Sequence, residues 1–413
     1  MEALDRILDG FTSPTTGSLH GAAFIAVNKH GEIIYQKAAG RASASIDNVE
    51  PLELNSSYWI ASMTKLVTAV AAVQLVERGI LSLDEEVRDK IPELRHLQVL
   101  QSMEQGPGGP LEPKLQPVKG KITLRHMLTH AAGFVYDSSS PVLQEWSRFR
   151  GRTAHTFTGS MDGYRHPLVF QPGTSWGYGA GLDWAGQLIE YVTSATLEEY
   201  MQANIWSKIG ASSTTFHPEL HAHTVPPQME MGRRMSVGQG AKSIKPGRVI
   251  LGYPLKDDLG GIGLFSTPRD FVKLLSALLQ GGGPLLRSES VDLLFRPQLS
   301  DVSRVAMAKL LGKQMRRVLG VADGDDFEQA DHSPAGAVTL KDIPGRRRRG
   351  TASWSGLPNL HWWIDREAGI AAALFTQIMP PADAAVTDLV LKLEEALYDV
   401  LNGPSQSHAG PKL

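Results

Sequence analysis

Apolar runs with the composition of β-strands occur near both ends of the chain. Residues 22–28 (AAFIAVN) and 33–37 (IIYQK) are separated by Lys-His-Gly-Glu, which predicts two strands joined by a tight turn. Residues 361–365 (HWWID) and 370–377 (IAAALFTQ) repeat this pattern around Arg-Glu-Ala-Gly, and residues 349–354 predict a further strand. We therefore expect a sheet whose strands come from the two ends of the chain.

Helical patterns occur before, between and after these strands. Residues 3–10 predict a short helix, and residues 386–401 repeat leucine at a four-residue spacing, which is typical of an amphipathic helix. The middle of the chain predicts further helices, for example at 182–192 and 271–279. Residues 106–120 are rich in glycine and proline and predict a loop.

These elements predict an α+β fold of the α/β sandwich type. An antiparallel sheet built from both termini would be flanked by helices and interrupted by a large, mainly helical insertion. We expect residues 1–90 and 331–413 to form the sheet subdomain and residues 91–330 the helical subdomain. An active site is expected in the cleft between the two, where binding sites commonly form.

Composition and charge exclude several classes of function. The chain has 413 residues, 42% of them hydrophobic and 20% charged, and its net charge is −2, so it does not have the charge of a nucleic-acid-binding protein. The four arginines at 346–349 predict a solvated turn. The absence of cysteine excludes disulfides and thiolate chemistry. With no secretory signal and no apolar run long enough for a bilayer, we expect a cytoplasmic protein without membrane contact.

A serine and a lysine begin a strongly apolar helical pattern. Ser62-Met63-Thr64-Lys65 is followed by KLVTAVAAVQLV, and Gly79 is placed to end the helix. Free N–H groups at a helix start favour a developing oxyanion, and residues three apart share one helix face. A lysine in a dry cleft can act as a base toward a serine hydroxyl. Serine is also a common helix N-cap, so this pattern alone leaves a purely structural role open.

Several segments together resemble one known superfamily. They are SMTK at 62–65, residues 81–87, ITLRHMLTHAAGF at 122–134, residues 170–190, GGIGLFSTPRDFVKLL at 260–275 and WSGLPNLHWWID at 354–365. In this order and spacing they resemble the serine β-lactamase and penicillin-binding-protein superfamily over nearly the whole chain. Within it, the chain looks most similar to class C β-lactamase-like esterases and to fungal acyltransferases of the lovastatin type.

The resemblance implies roles for further residues. Tyr178, in Tyr-Gly-Ala-Gly, matches the family's tyrosine and would serve as general acid and base with Lys65. Gly181 stands where the family usually has asparagine, so a polar contact to substrate or lysine is missing there. The backbone N–H groups of Ser62 and Leu357 would form the oxyanion hole.

The third motif of the family is also altered. Trp354, Ser355 and Gly356 occupy the place of the β-lactamase Lys-Thr-Gly motif, and the lost lysine binds carboxylates in that family. The cleft wall is therefore expected to be apolar, with Trp176 and Tyr136 as further pocket candidates.

These implications predict a serine acyltransferase or carboxylesterase that works through an acyl-enzyme. Its substrate would be an apolar ester or acyl thioester, and the acyl group would pass to an alcohol or to water, in secondary-metabolite biosynthesis. The resemblance admits an acyl carrier protein as donor and implies no cofactor. The alternatives are a β-lactamase or D,D-peptidase type of hydrolase, or a catalytically silent small-molecule binding protein on the same fold. The oligomeric state is not predicted.

Three other groups of residues have part of the pattern of a catalytic or metal site. Ser175 lies in Gly-Thr-Ser-Trp-Gly, which matches a nucleophile elbow, but proline before it and glycines after it break the required strand and helix. The histidines at 217, 221 and 223 lack the spacing of a zinc motif and predict a surface loop. His126 and His130 have a helical spacing but no nearby carboxylate. No metal site is predicted.

Overall fold

A seven-stranded antiparallel sheet takes its strands from residues 21–40 and from residues 330–375. The structure is a computed structural model and describes residues 1–106, 109, 111–235, 244–321 and 329–402. Its strands are β1 (Gly21–Asn28), β2 (Ile33–Gly40), β3 (Tyr58–Trp59), β4 (Gln98–Gln105), β5 (Leu111–Pro117), β6 (Gly232–Arg234), β7 (Ile244–Pro246), β8 (Phe265–Ser266), β9 (Ala330–Ser333), β10 (Gly336–Thr339), β11 (Ala352–Gly356), β12 (Leu360–Asp365), β13 (Ile370–Phe375) and β14 (Ile378–Met379).

The strand order of the main sheet is β2-β1-β13-β12-β11-β10-β9, with antiparallel neighbours throughout. The N-terminal hairpin therefore pairs with a strand from the other end of the chain, and Ala23 lies opposite Phe375. The prediction of one antiparallel sheet built from both termini is confirmed. The interior strand β11 is the one that reaches the site described below.

Helices cover both faces of this sheet. They are α1 (Glu2–Thr12), α2 (Thr64–Glu77), α3 (Leu124–Leu128), α4 (Pro141–Phe149), α5 (Gly181–Thr193), α6 (Leu197–Met201), α7 (Pro268–Leu279), α8 (Ser288–Phe295), α9 (Asp301–Leu310), α10 (Lys313–Val318) and α11 (Ala384–Asn402). Among the helices of the described ranges, none is both long enough and apolar enough to cross a bilayer.

Alternating side chains of the central strands serve two separate cores. In β1, Phe24 packs with α1 and α11 on one face, whereas Ile25 belongs to the larger core on the other face. This alternation follows from the two-residue period of a strand whose two faces are both covered. The helix α7 contacts β1 and β13 although it lies within residues 91–330. The division into a sheet subdomain and a helical subdomain stays a prediction. Residues 403–413, which were assigned to the sheet subdomain, lie outside the described residues.

The prediction of a loop at 106–120 is wrong. Residues of β4 and β5 form an antiparallel two-stranded hairpin that pairs Gln98 with Pro117 and Met103 with Pro113. In a two-stranded ribbon each strand is an edge, so a proline whose missing N–H faces outward removes no ladder hydrogen bond. The glycine and proline content therefore does not exclude strands here.

The arginine run at 346–349 is not simply a solvated turn. The side chain of Arg347 is fully buried, and its Nε donates to Glu394 of α11 at 2.8 Å. Arg346 donates to the same carboxylate at 2.9 Å, and the Arg347 guanidinium lies 5.2 Å from the ring centroid of Trp363. A carboxylate from the C-terminal helix compensates these buried charges, and short-range sequence patterns do not reveal such a partner.

Candidate active site

Ser62 lies in a tight turn between a strand and a buried helix. The strand β3 ends at Trp59, residues Ala61–Met63 form a single 3₁₀ turn, and α2 follows at once. Ala61 has φ of 45°, in the left-handed region, which costs a residue with a side chain about 1 kcal/mol. Ser62 therefore precedes the α-helix by two residues, and its side chain is nearly buried, at 8% exposure.

Lys65 reaches back to Ser62 from the first turn of α2. Its side chain is 5% exposed, and its Nζ lies 3.4 Å from Ser62 Oγ, 3.0 Å from Tyr136 Oη and 2.8 Å from the Gly261 carbonyl oxygen. A lysine amine carries at most three protons, so these three partners occupy its whole hydrogen-bonding capacity. The burial of this amine is thus compensated by polar contacts.

A second layer of buried polar groups lies behind Lys65. Tyr136 donates to Asp183 Oδ2 at 3.0 Å, and the Gly261 N–H donates to Asp183 Oδ1 at 2.8 Å. Burial raises the pKa of Asp183 to about 6, although the charge of Lys65 and these hydrogen bonds act in the opposite direction. Burial, with the nearby Asp183 charge, holds the pKa of Tyr136 well above its usual range, so Tyr136 stays protonated.

Tyr178 faces Lys65 with its ring. The Lys65 Nζ lies 4.6 Å from the ring centroid, within the range of a cation–π contact. The Tyr178 Oη accepts a hydrogen bond from Trp354 Nε1 at 3.2 Å. The indole of β11 thus orients the phenol oxygen, while the phenol ring covers the lysine.

Two buried histidines complete the surroundings of Tyr178. The ring of His130 lies 4.6 Å from that of Tyr178 and 5.1 Å from that of His332, which in turn lies 5.3 Å from the Trp354 ring. Burial, assisted by the Lys65 charge, lowers the pKa of His130 well below its usual range and that of His332 to about 3. Both imidazoles are therefore neutral near pH 7, and they pack as aromatic rings.

The strand β11 approaches the Ser62 turn closely because of a glycine. A Cβ at Gly356 would lie only 2.5 Å from the Ile60 carbonyl oxygen, a distance that real Cβ atoms do not show. Leu357 is the next residue, and it lines the same cavity as Ser62.

A cavity of about 870 Å³ opens beside Ser62. Its walls include Tyr178, Trp176 and Trp354, with Leu311 from the segment that joins α9 to α10 and Met315 from α10. Ser355 and Gly356 also line it, whereas Tyr136 does not line it, although its ring lies 5.7 Å from that of Tyr178. Within the described part of the chain, the one lining side chain that carries a formal charge at pH 7 is Lys313.

Comparison with known proteins places this arrangement in a family. The family model described as Beta-lactamase matches residues 5–397. The chain belongs to the β-lactamase family. It is 32% identical to lovastatin esterase of Penicillium rubens over 92% of this chain and 93% of that protein. It is 31% identical to monacolin J acid methylbutanoyltransferase of Aspergillus terreus over 92% of this chain and 91% of that protein.

A solved structure shows the same fold. Unliganded simvastatin synthase from Aspergillus terreus superposes on this chain with a TM-score of 0.83 at 28% sequence identity. The match covers 98% of this chain and 100% of that chain. The relatives are esterases and acyltransferases, so this β-lactamase-family chain is an enzyme of the serine hydrolase or acyltransferase type.

This β-lactamase-family chain lacks a polar side chain at position 181, and its structure gives the reason. Gly181 begins α5, where a Cβ would lie 2.3 Å from the Met127 carbonyl oxygen, so no side chain fits. The polar contacts to Lys65 come from Tyr136 and the Gly261 carbonyl instead. Position 181 therefore does not leave the lysine without partners.

The rival residues have a different geometry. Ser175 lines the cavity but lies in an irregular segment without the adjoining strand and helix of a nucleophile elbow. His217 contacts Asp258 through Nε2 at 2.7 Å, and His221 and His223 are exposed. In the described ranges no group of three or more histidine, aspartate or glutamate side chains is arranged to hold a metal ion.

Proposed function

We propose that this enzyme works through an acyl-enzyme on Ser62, with Lys65 and Tyr178 moving its proton. The observation that supports this role is the buried contact of 3.4 Å between Lys65 Nζ and Ser62 Oγ beside a large cavity. Exclusion of water strengthens the interactions of the lysine and keeps it close to the hydroxyl it would deprotonate.

The proposed reaction has two halves. In the first, Ser62 Oγ forms a bond to the carbonyl carbon while its proton passes to Lys65, and the C–O or C–S bond of the substrate breaks. The leaving group takes a proton from Tyr178, which regains one through Lys65. In the second half, water or an alcohol attacks the acyl carbon and gives its proton to the same pair. The bond between the acyl carbon and Ser62 Oγ then breaks, and Oγ takes a proton back from Lys65.

We assign the oxyanion hole to the N–H groups of Ser62 and Leu357. The close approach of Gly356 to Ile60 supports this assignment, because it brings the end of β11 against the turn that holds Ser62. Each donor aimed at the developing oxyanion contributes about 3 kcal/mol in comparable sites.

The substrate we infer is an apolar ester or acyl thioester of a small molecule. The aromatic and aliphatic walls of the cavity favour such a molecule, and one relative is named for a methylbutanoyl transfer to monacolin J acid. A polyketide-type alcohol would be the acceptor, and an acyl carrier protein would be one source of the thioester. A β-lactamase or D,D-peptidase activity is disfavoured because Trp354 stands where a carboxylate-binding lysine would be needed.

Intact-protein mass spectrometry tests the proposal. The wild type, Ser62→Ala and Ser175→Ala are each incubated briefly with p-nitrophenyl butyrate and with a butyryl thioester. We expect an acyl adduct in the wild type and in Ser175→Ala but none in Ser62→Ala. An adduct that persists in Ser62→Ala would overturn the assignment of the nucleophile, and no adduct with either donor would favour a silent binding protein. Faster release by added alcohols would distinguish a transferase from an esterase.

A further inference from the structure

A buried carboxylate forms hydrogen bonds with two of the three residues that are hydrogen-bonded to the Lys65 amine. Asp183 has no exposed surface and lies in the first turn of α5. One of its oxygens accepts from Tyr136 and the other from the Gly261 N–H. The same two residues, through the phenol oxygen of Tyr136 and the carbonyl of Gly261, accept the hydrogen bonds of Lys65.

The backbone at position 261 packs so closely against Asp183 and Tyr136 that only glycine fits there. A Cβ at Gly261 would lie 2.3 Å from Asp183 Oδ2 and 2.7 Å from Tyr136 Oη. The segment is also tied to α2, since Thr68 donates to the Gly260 carbonyl at 2.6 Å. Asp183, Tyr136 and the 260–261 backbone therefore form one rigid frame around the amine.

The directions of the hydrogen bonds follow from the proton count. An ionised carboxylate only accepts, so the single proton of Tyr136 points to Asp183 and the phenol oxygen is left to accept from Lys65. A neutral lysine amine has two protons and one lone pair. With the two protons directed to Tyr136 and Gly261, the lone pair remains for the proton of Ser62.

We propose that Asp183 is a positioning residue that, through Tyr136 and Gly261, directs the Lys65 lone pair toward Ser62. The inference rests on the proposed function and deepens it. The Ser62 O–H bond breaks as a new N–H bond forms on Lys65. The negative charge of Asp183 then stabilises the resulting ammonium. Asp183 touches neither the substrate cavity nor Ser62.

The other ionisable groups near this frame do not compete for these roles. Tyr164, which also faces Asp183, is buried, and its pKa lies well above its usual range, so it stays protonated. On the other side of Lys65, burial keeps His130 and His332 neutral. Tyr178 contacts the lysine through its ring. Asp183 accepts from Tyr136 and from the Gly261 N–H, so its carboxylate supplies the acceptor that the frame requires.

The variant Asp183→Asn tests this positioning role, because the asparagine side chain has the shape of aspartate but has an NH₂ donor in place of one acceptor oxygen. If the amide oxygen keeps the bond to the Gly261 N–H, its NH₂ group donates to Tyr136. The Tyr136 proton then turns to Lys65 and occupies the lone pair. We expect kcat for p-nitrophenyl butyrate at pH 7.5 to fall on the order of 100-fold, with KM within about threefold of the wild type.

A double variant tests the mechanism rather than the folding. Adding Tyr136→Phe to Asp183→Asn removes the misdirected proton, so the two losses in kcat should not multiply. Multiplying losses, or a kcat of folded Asp183→Asn within threefold of wild type, would overturn the inference. If Asp183→Asn does not fold, Tyr136→Phe alone carries the test, and an unchanged kcat in that variant would overturn it as well.

Asp365 offers a matched control in the same chain. It is also fully buried, and it accepts from Tyr398 Oη at 2.6 Å and from the N–H groups of Arg348 and Ala368 at 2.8 Å. It does not line the cavity or contact Lys65. Asp365→Asn should lower Tm but keep kcat of the folded protein within about threefold of the wild type.

Mass spectrometry separates failure of the inference from failure of the proposed function. If the acyl adduct depends on Ser62 but forms as fast in Asp183→Asn as in the wild type, only the role of Asp183 is refuted. If the adduct persists in Ser62→Ala, the proposed nucleophile itself is wrong.

Discussion

The hydrogen bond from Trp354 to Tyr178 gives a quantitative test of the charge on the tyrosine during the reaction. Trp354→Phe keeps an aromatic ring in the cavity wall but removes the Nε1–H that donates to Tyr178 Oη at 3.2 Å. A hydrogen bond to a neutral oxygen contributes equally before and in the transition state, so its loss leaves kcat unchanged. A hydrogen bond to a charged oxygen is worth about 1.5–3 kcal/mol. The distance of 3.2 Å between Trp354 Nε1 and Tyr178 Oη exceeds that of short charge-assisted hydrogen bonds. We therefore take the lower value of about 1.5 kcal/mol, which corresponds to about a tenfold loss of kcat.

Trp176→Phe is the matched control for this measurement. Trp176 lines the same cavity and stacks near Tyr178 at 6.4 Å between ring centroids, but its indole N–H has no protein partner among the described residues. Steady-state hydrolysis of p-nitrophenyl butyrate should show a tenfold lower kcat for Trp354→Phe and a kcat near that of the wild type for Trp176→Phe. Equal losses in the two variants, or none in Trp354→Phe, would refute the idea that Tyr178 carries negative charge in the rate-limiting transition state.

Three further predictions concern specificity, stability and pH. Lys313→Ala should raise KM for an ester that carries a carboxylate about two- to fivefold but not for its methyl ester, whereas Lys309→Ala, outside the cavity, should change neither. Glu394→Gln should lower the free energy of unfolding in urea by about 3 kcal/mol, because it leaves the buried Arg347 charge without its partner, and kcat of the folded fraction should not change. Burial raises the folded-state pKa of Asp183 from 3.8 to about 6, so between these values the folded chain holds a proton that the unfolded chain has released. The free energy of unfolding should therefore fall as pH rises through this window, and Asp183→Asn should lose that part of the slope.

The sheet and its helices were predictable where side-chain periodicity was strong. The alternation around Phe24 and Ile25 and the leucine spacing of α11 each reflect packing that the local sequence encodes directly. The β4–β5 hairpin was missed because proline excludes a strand only where its missing N–H would have to be paired, and both strands of this hairpin are edges. The burial of Arg347 was missed because its partner, Glu394, comes from a helix 47 residues later.

The part of the site that depends on local sequence spacing was predictable, and the part that depends on distant residues was not. Ser62 and Lys65 lie one helical turn apart, so their proximity follows from the sequence spacing. The partners of Lys65 lie 71 and 196 residues away in the chain, at Tyr136 and Gly261, and only the fold brings them together. One local signal was available for Asp183, since it is an acidic residue in the otherwise apolar stretch GLDWAGQLIE. A buried acid in such a helix calls for a partner.

The geometry divides the surroundings of Ser62 into two groups with separable effects. Trp176 and Lys313 contact the cavity but not the hydrogen bonds of Lys65, so substitutions there act on substrate binding. Asp183 and the Gly261 backbone belong to the frame around the Lys65 amine and do not line the cavity, so substitutions there act on proton transfer. Substrate specificity can therefore change through the cavity wall while the amine keeps its orientation. This separation explains how a chain with tryptophan in the third motif, and no side chain at 181, can keep every polar partner that its buried lysine requires.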